Sequence, residues 1–237
     1  MSLLPPNRVR LGSALFNANH ACLGDELKRV EDAGIEFIHL DVFDGYAVPD
    51  QGFPARTIAQ LRPLTTLPFE VHLTANDPLR FVPALADAGV DLIFLPAETT
   101  PLLYEATFEL GQHTVKAGIC LALGTPLEVL PPILPMVESV LLLGRVTGEG
   151  ARGRAFNDLV LRRVERVRQM IDSEETVRSG SHRIDLQAAG GLELESSVQV
   201  CLLGATSLPL GSALHRESDL TAYVHRLRTL LAESAPA

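Results

Sequence analysis

Eight apolar segments alternate along the chain with eight segments that have the pattern of amphipathic helices. The apolar segments lie at 8–15, 35–41, 69–73, 90–95, 115–123, 137–143, 184–189 and 206–210, and the helical ones at 24–33, 54–64, 78–88, 102–111, 126–134, 157–171, 194–203 and 220–232. Continuous apolar strands that alternate with helices are typical of parallel sheets covered on both faces. Eight such units predict an α/β fold, a closed (β/α)8 barrel formed by residues 1–237 as one domain, with a frayed tail after residue 232.

The composition excludes several classes of protein. A hydrophobic content of 46% suffices for a full core, yet no uninterrupted apolar run reaches the length of about 18 residues that suggests a membrane span. The first residues lack a basic stretch followed by an apolar core, so we expect no signal peptide. A net charge of -9 without a basic run argues against nucleic acid as a partner. Three widely spaced cysteines suggest no disulfide framework, which favours the reducing cytoplasm.

Polar side chains stand at the ends of the second and third predicted strands, and active sites of such barrels are built from these ends. His39 and Asp41 lie two residues apart on a strand and therefore face the same side. By themselves they could be a metal site, a proton-transfer site or merely the polar rim of a buried strand. If the third strand is a parallel neighbour, His72 joins them, and two imidazoles with one carboxylate suit a divalent metal ion.

Glycines follow the last two predicted strands. Gly190 and Gly191 come after the seventh strand, and Gly211 precedes Ser212 after the eighth. One such pair would indicate only a tight turn. Glycines after both strands favour a phosphate site built from backbone N–H groups, which is a recurring feature of these barrels. Such a site requires no lysine, which suits a chain whose positive charge is almost entirely arginine.

With these motifs in place, the chain resembles the ribulose-phosphate 3-epimerase family over almost its full length. The most specific motif is His-Leu-Asp-Val-Phe-Asp-Gly at 39–45, followed by Val-Pro at 48–49; the others are 12–15, 71–73, 97–101 and 211–212. The resemblance implies an isomerase of pentose phosphate metabolism that binds a phosphorylated sugar in a barrel of the ribulose-phosphate-binding type. It also implies a divalent metal ion (Zn, Fe, Mn or Co) and a homo-oligomer.

The resemblance also assigns roles to individual residues. Positions that match His39, Asp41 and His72 bind the metal in the family, and the aspartate that matches Asp41 is also a proton-transfer group. The serine that matches Ser13 contacts substrate, and we expect His72 to lie against substrate too. The loops that match Gly190, Gly191, Gly211 and Ser212 hold the phosphate.

One position departs from the family pattern. The family ends its seventh strand with Val-Asp-Gly-Gly, and that aspartate is the second proton-transfer group and a metal ligand; here Ala189 stands in its place. Epimerisation moves protons on two faces of an enediolate, so the substitution predicts weak metal binding and impaired epimerase activity. Glu149, in the glycine-rich loop 147–154, is the candidate substitute. The alternatives are a one-base isomerase or metal-dependent aldolase acting on another sugar phosphate, and a non-catalytic sugar-phosphate-binding regulatory protein.

Overall fold

The computed structural model describes residues 8–146, 156–178 and 183–234. Eight parallel strands close into a barrel in the order β1-β2-β3-β4-β5-β6-β7-β8, which confirms the predicted fold. The strands are β1 (Arg10–Ala14), β2 (Phe37–Phe43), β3 (Phe69–Thr74), β4 (Leu92–Pro96), β5 (Lys116–Leu121), β6 (Ser139–Leu143), β7 (Asp185–Ala189) and β8 (Ser207–Leu210). No helix in these ranges is long and apolar enough to cross a membrane.

Helices pack around the outside of the barrel. They are α1 (Leu23–Asp32), α2 (Ala55–Leu61), α3 (Val82–Asp87), α4 (Leu103–Leu110), α5 (Leu159–Arg178), α6 (Leu194–Leu202), α7 (Ser212–His215) and α8 (Leu220–Ser234). The main apolar core lies between the strands and this helical layer. A smaller cluster fills the barrel interior around Phe94, Cys120 and Leu141. The strands are therefore buried on both faces, which explains why the sequence shows them as continuous apolar runs.

Three connections differ from the sequence prediction. The helix predicted at 126–134 is replaced by 3-10 turns at Leu127–Val129 and Leu134–Met136, because its three prolines, and a fourth at position 135, cannot donate the hydrogen bonds of an α-helix. The helix predicted at 157–171 extends as far as Arg178, since residues 172–178 include neither glycine nor proline. The short helix α7, directly after β8, was not predicted, and α8 continues to Ser234.

A buried charged cluster occupies the barrel interior at the N-terminal ends of the strands. The Arg10 guanidinium donates to Glu70 Oε1 at 2.9 Å and lies 3.4 Å from Asp185 Oδ2. Gln187 Nε2 donates to Glu70 Oε2 at 2.6 Å and to Asp185 Oδ2 at 3.0 Å. All four side chains are buried. This end of a (β/α)8 barrel serves stability rather than chemistry, so we assign the cluster a structural role.

Candidate active site

Strand pairing brings the predicted metal-binding residues together. β2 and β3 are parallel neighbours, with Asp41 paired to His72. His39 and Asp41 point into the barrel, whereas Ile38, Leu40 and Val42 belong to the outer core. One nitrogen of His39, one oxygen of Asp41 and one nitrogen of His72 all lie within 4.8 Å of one another. The pattern of alternating faces and the chain order were therefore sufficient to predict this cluster.

Hydrogen bonds and burial set the charge state of this cluster. His72 Nδ1 lies 3.0 Å from Asp41 Oδ1, and His39 Nε2 lies 3.6 Å from the same oxygen. Burial would raise the pKa of Asp41, but the two imidazoles outweigh burial and hold it well below its usual range. Burial would likewise lower the pKa of His72, yet the Cys120 sulfur and the Asp41 carboxylate raise it. Asp41 is therefore an ionised carboxylate held between two imidazoles.

The sequence analysis did not single out Cys120, which lies beside this cluster. Its sulfur is 3.4 Å from His72 Nε2, on the side of the ring away from Asp41. Burial raises the pKa of the Cys120 thiol, and the neighbouring imidazole opposes that shift. Cys120 pairs with Pro96 at the end of β4, and its side chain faces the barrel interior. Alternation along β5, together with this register, is the signal that could have identified it. All three cysteines of the chain are free thiols.

The cluster forms one wall of an open cavity of about 310 Å³ at the C-terminal end of the barrel. His39, Asp41 and His72 all line this cavity. So do Ala189, the four residues of the predicted phosphate loops, and two charged residues, Arg145 and Asp50, of which the sequence analysis did not single out Asp50. The position of the cavity agrees with the general rule that chemistry takes place at this face of the barrel.

The predicted phosphate loops line the same cavity as the predicted metal-binding residues. Gly190 and Gly191 have φ angles of +91° and +74°, a region that strongly favours glycine. Gly211 immediately precedes the first residue of α7, Ser212. A Cβ atom on Gly211 would lie 3.0 Å from Asn17 Nδ2. Backbone N–H groups of both loops are thus able to approach one anionic group closely.

Arg145 supplies positive charge on the same side of the cavity. A Cβ atom on Gly190 would lie 2.9 Å from Arg145 Cγ, so the arginine side chain runs across this glycine. Burial lowers the pKa of Arg145, and the Asp41 carboxylate opposes that shift. An arginine remains charged in proteins, and the site therefore presents a cation opposite the Asp41 carboxylate. The loop 147–154, including Glu149, lies outside the described residues.

Ser13 does not line the cavity. Gly12 faces the ring of Phe37 inside the barrel, so the next residue faces outward. Ser13 is completely buried and its hydroxyl lies 2.9 Å from His215 Nε2 on α7. Ser13 is thus not among the residues that line the cavity, and the contact with substrate that the family resemblance implies stays a prediction. Burial lowers the pKa of His215 to about 4, so the ring is neutral and ties the helix that begins at Ser212 to β1.

Comparison with known proteins is consistent with this geometry. Residues 10–215 match the model of the Ribulose-phosphate 3 epimerase family. The chain is 32% identical to the ribulose-phosphate 3-epimerase of Bacillus subtilis (strain 168) over 220 residues, which cover 93% of this chain and 98% of the relative. It is 31% identical to the chloroplastic ribulose-5-phosphate-3-epimerase of Arabidopsis thaliana over 231 residues, which cover 97% of this chain and 78% of the relative.

Solved structures show the same fold at much lower sequence identity. The phosphoribosyl anthranilate isomerase of Thermus thermophilus superposes with a TM-score of 0.64 at 15% identity and covers 95% of this chain and all of its own. That likeness concerns the barrel alone. The family model and the two curated relatives span almost the whole described barrel and its active-site face, and the chain therefore belongs to the ribulose-phosphate 3-epimerase family.

Proposed function

We propose that the protein is a sugar-phosphate epimerase that inverts the carbon beside the carbonyl of a ketose phosphate, with ribulose 5-phosphate as the first substrate to test. The observation that carries the proposal is the position of His39, Asp41 and His72 in one cavity with the glycine loops of β7 and β8. The cavity thus combines a proton-transfer carboxylate with backbone N–H groups suited to a phosphate. Family membership supports the epimerase class over the two alternatives.

The residues of the cluster fit a divalent metal ion. Two imidazoles and a carboxylate are a common donor set for Zn, Mn, Fe or Co, and their donor atoms lie within 4.8 Å of one another. His39 Nδ1 is buried and has no hydrogen-bond partner among the described residues. We therefore propose that His39, Asp41 and His72 hold the ion. When bound, it would act as a Lewis acid that stabilises the negative charge of an enediolate.

The chain's own groups provide binding and proton transfer. We propose that the loops at Gly190–Gly191 and Gly211–Ser212 bind the phosphate, which fixes the distance of the reacting carbon from the strand ends. Asp41 then removes the proton from that carbon, and His72, whose Nδ1 lies 3.0 Å from Asp41 Oδ1, keeps the carboxylate in its place beside the cluster. Arg145 lines the same cavity, and its positive charge would attract the negative charge that develops on the substrate oxygens.

The proposal is tested by metal analysis of the purified protein, followed by an assay on ribulose 5-phosphate with the ion restored. We expect stoichiometric metal once the ion is restored, and conversion to the C3 epimer at a rate that Ala189 limits. Metal without conversion would refute the epimerase proposal and favour one-base chemistry on a different sugar phosphate. The absence of both would favour the non-catalytic binding protein, which would still bind a phosphorylated sugar.

The substitution Ala189→Asp tests whether this position limits the reaction. Ala189 is buried in the cavity wall at the end of β7, where it can neither transfer a proton nor bind metal. A carboxylate there would face the cavity next to Arg145. Proton transfer by a positioned side chain contributes roughly 10²–10⁴-fold, and even partial alignment should raise kcat on ribulose 5-phosphate by about tenfold. Ala189→Asn is the matched control, since it adds the volume without the proton-transfer group; equal rates in both variants would contradict the prediction.

A further inference from the structure

Epimerisation requires a second proton-transfer group that Asp41 alone does not provide. One group removes a proton from one face of the carbon and another returns a proton to the opposite face. Of the residues that the structure describes in the cavity wall, His39 and His72 belong to the metal cluster, and the cation of Arg145 is a poor proton-transfer group at neutral pH. Ala189 is inert. The remaining described carboxylate in the wall is Asp50.

The backbone next to Asp50, a residue that lines the cavity, is tied to the end of β2. After β2 the chain turns back on itself, and Asp44 and Gln51 form an isolated antiparallel bridge. The Gly52 N–H donates to the Phe43 carbonyl at 3.3 Å, and the Phe53 N–H donates to the Asp41 carbonyl at 2.8 Å. The loop that carries Asp50 is thus hydrogen-bonded to the same strand end that carries the first proton-transfer group.

Gly52 makes this close return possible. A Cβ atom on Gly52 would lie 2.4 Å from the Asp41 carbonyl oxygen and 2.3 Å from the Phe43 nitrogen, so only glycine fits against the strand. Phe53 is buried and packs edge-on against Phe16, which also lines the cavity. These contacts fix the backbone on the C-terminal side of Asp50, which is the kind of support that a proton-transfer residue on a loop requires.

We propose that Asp50 is the second proton-transfer group of the epimerase, a proposal that rests on the function proposed above. Asp41 takes the proton from the carbon beside the carbonyl, and the electron pair of that C–H bond moves to form the enediolate. Asp50, as the carboxylic acid, then gives its proton to the opposite face of the same carbon, and the carbonyl re-forms. The reverse reaction uses the two groups in the opposite order. Asp50 is only partly buried, so water can return the proton between turnovers.

The test compares Asp50→Asn with the wild-type protein in deuterated water, using ribulose 5-phosphate and its C3 epimer as separate substrates. The variant should lose conversion by at least about 100-fold in kcat, with little change in KM. It should still introduce deuterium at C3 of the one epimer whose proton Asp41 removes. A purely structural role would not produce exchange without conversion. Asp50→Glu should restore part of the conversion because it restores the carboxyl group.

The outcomes separate this proposal from the proposed function. Asp77→Asn is the matched control, because Asp77 is exposed in the neighbouring loop after β3 and does not line the cavity; it should behave as the wild type. Normal conversion by Asp50→Asn would overturn the role of Asp50 and leave the epimerase proposal intact. Loss of both exchange and conversion in that variant would also overturn it, since Asp50 would then act on binding or structure. No conversion by the wild-type protein would instead refute the proposed function.

Discussion

Asp41→Asn is expected to lower the turnover of ribulose 5-phosphate on the order of 10³–10⁴-fold, because one side chain serves two purposes. In the proposed mechanism its carboxylate is the proton acceptor, and one of its oxygens belongs to the cluster that suits a metal ion. The amide of asparagine has no basic oxygen that can hold the proton. The variant should also bind metal more weakly, since a neutral oxygen replaces a charged ligand between His39 and His72.

The measurement for Asp41→Asn is the rate of epimerisation together with metal content at several metal concentrations. Saturating metal should restore occupancy without restoring turnover, which separates proton transfer from metal binding. With metal restored, deuterium exchange should be lost from the epimer whose proton Asp41 removes and kept in the other epimer, which is the reverse of the result for Asp50→Asn, because Asp50 can still remove and return the proton on its own face. Turnover within tenfold of the wild type, in a variant that has retained its metal, would show that another group removes the proton.

The sequence predicts the metal-binding cluster because two simple regularities determine it. Alternation on β2 puts His39 and Asp41 on one face, and parallel pairing of consecutive strands brings His72 beside them. On β1 the same alternation puts Gly12 toward the barrel interior and its neighbour Ser13 on the outward face. The family motif alone does not reveal that Ser13 bonds to His215, because that contact depends on α7, a four-residue helix too short for a periodic pattern.

Asp50 could not have been predicted in this way. It lies in a loop without periodicity, and its position depends on how closely Gly52 approaches the end of β2. The sequence shows a glycine there but not which atoms it meets.

The charged cluster at the other end of the barrel leaves a clearer signal in the sequence. Arg10, Glu70 and Asp185 stand at or near the starts of three predicted strands, where charged residues are unusual and need partners.

Arg10→Met should be the most destabilising of these substitutions. Glu70 and Asp185 are buried, and Arg10 is the cation that contacts both. Removal of one partner from a buried ionic network leaves uncompensated charge and typically costs about 3–5 kcal/mol. The control is Arg8→Met, because Arg8 is exposed and pairs with Glu36 at 3.6 Å; it should change the free energy of unfolding by less than about 1 kcal/mol. Chemical denaturation measures both.

The stability that Arg10→Met loses should also depend on pH, and the direction of that dependence follows from the pKa of Glu70. Burial raises the pKa of Glu70 already in the wild type, and Arg10 opposes that shift. Without Arg10 the pKa rises further, so the folded variant keeps a proton that the unfolded chain loses above about pH 4.3. Stability must then fall as the pH rises from there toward the folded-state pKa. We therefore expect the variant to lose less free energy of unfolding at about pH 5 than at about pH 7.5, two values that bracket this window.

A second substitution keeps this prediction testable if Arg10→Met alone does not fold. Glu70→Gln in the same chain removes one of the two buried negative charges, and its amide oxygen can still accept from Gln187 Nε2. The double variant should therefore recover part of the lost stability and most of the pH-dependent part, because the titrating group is gone. Two results would contradict this: an equal loss of stability at both pH values, or no recovery of stability in the double variant. Either would mean that Arg10 stabilises the fold by packing against the Phe37 ring, whose centroid lies 4.5 Å away, rather than by its charge.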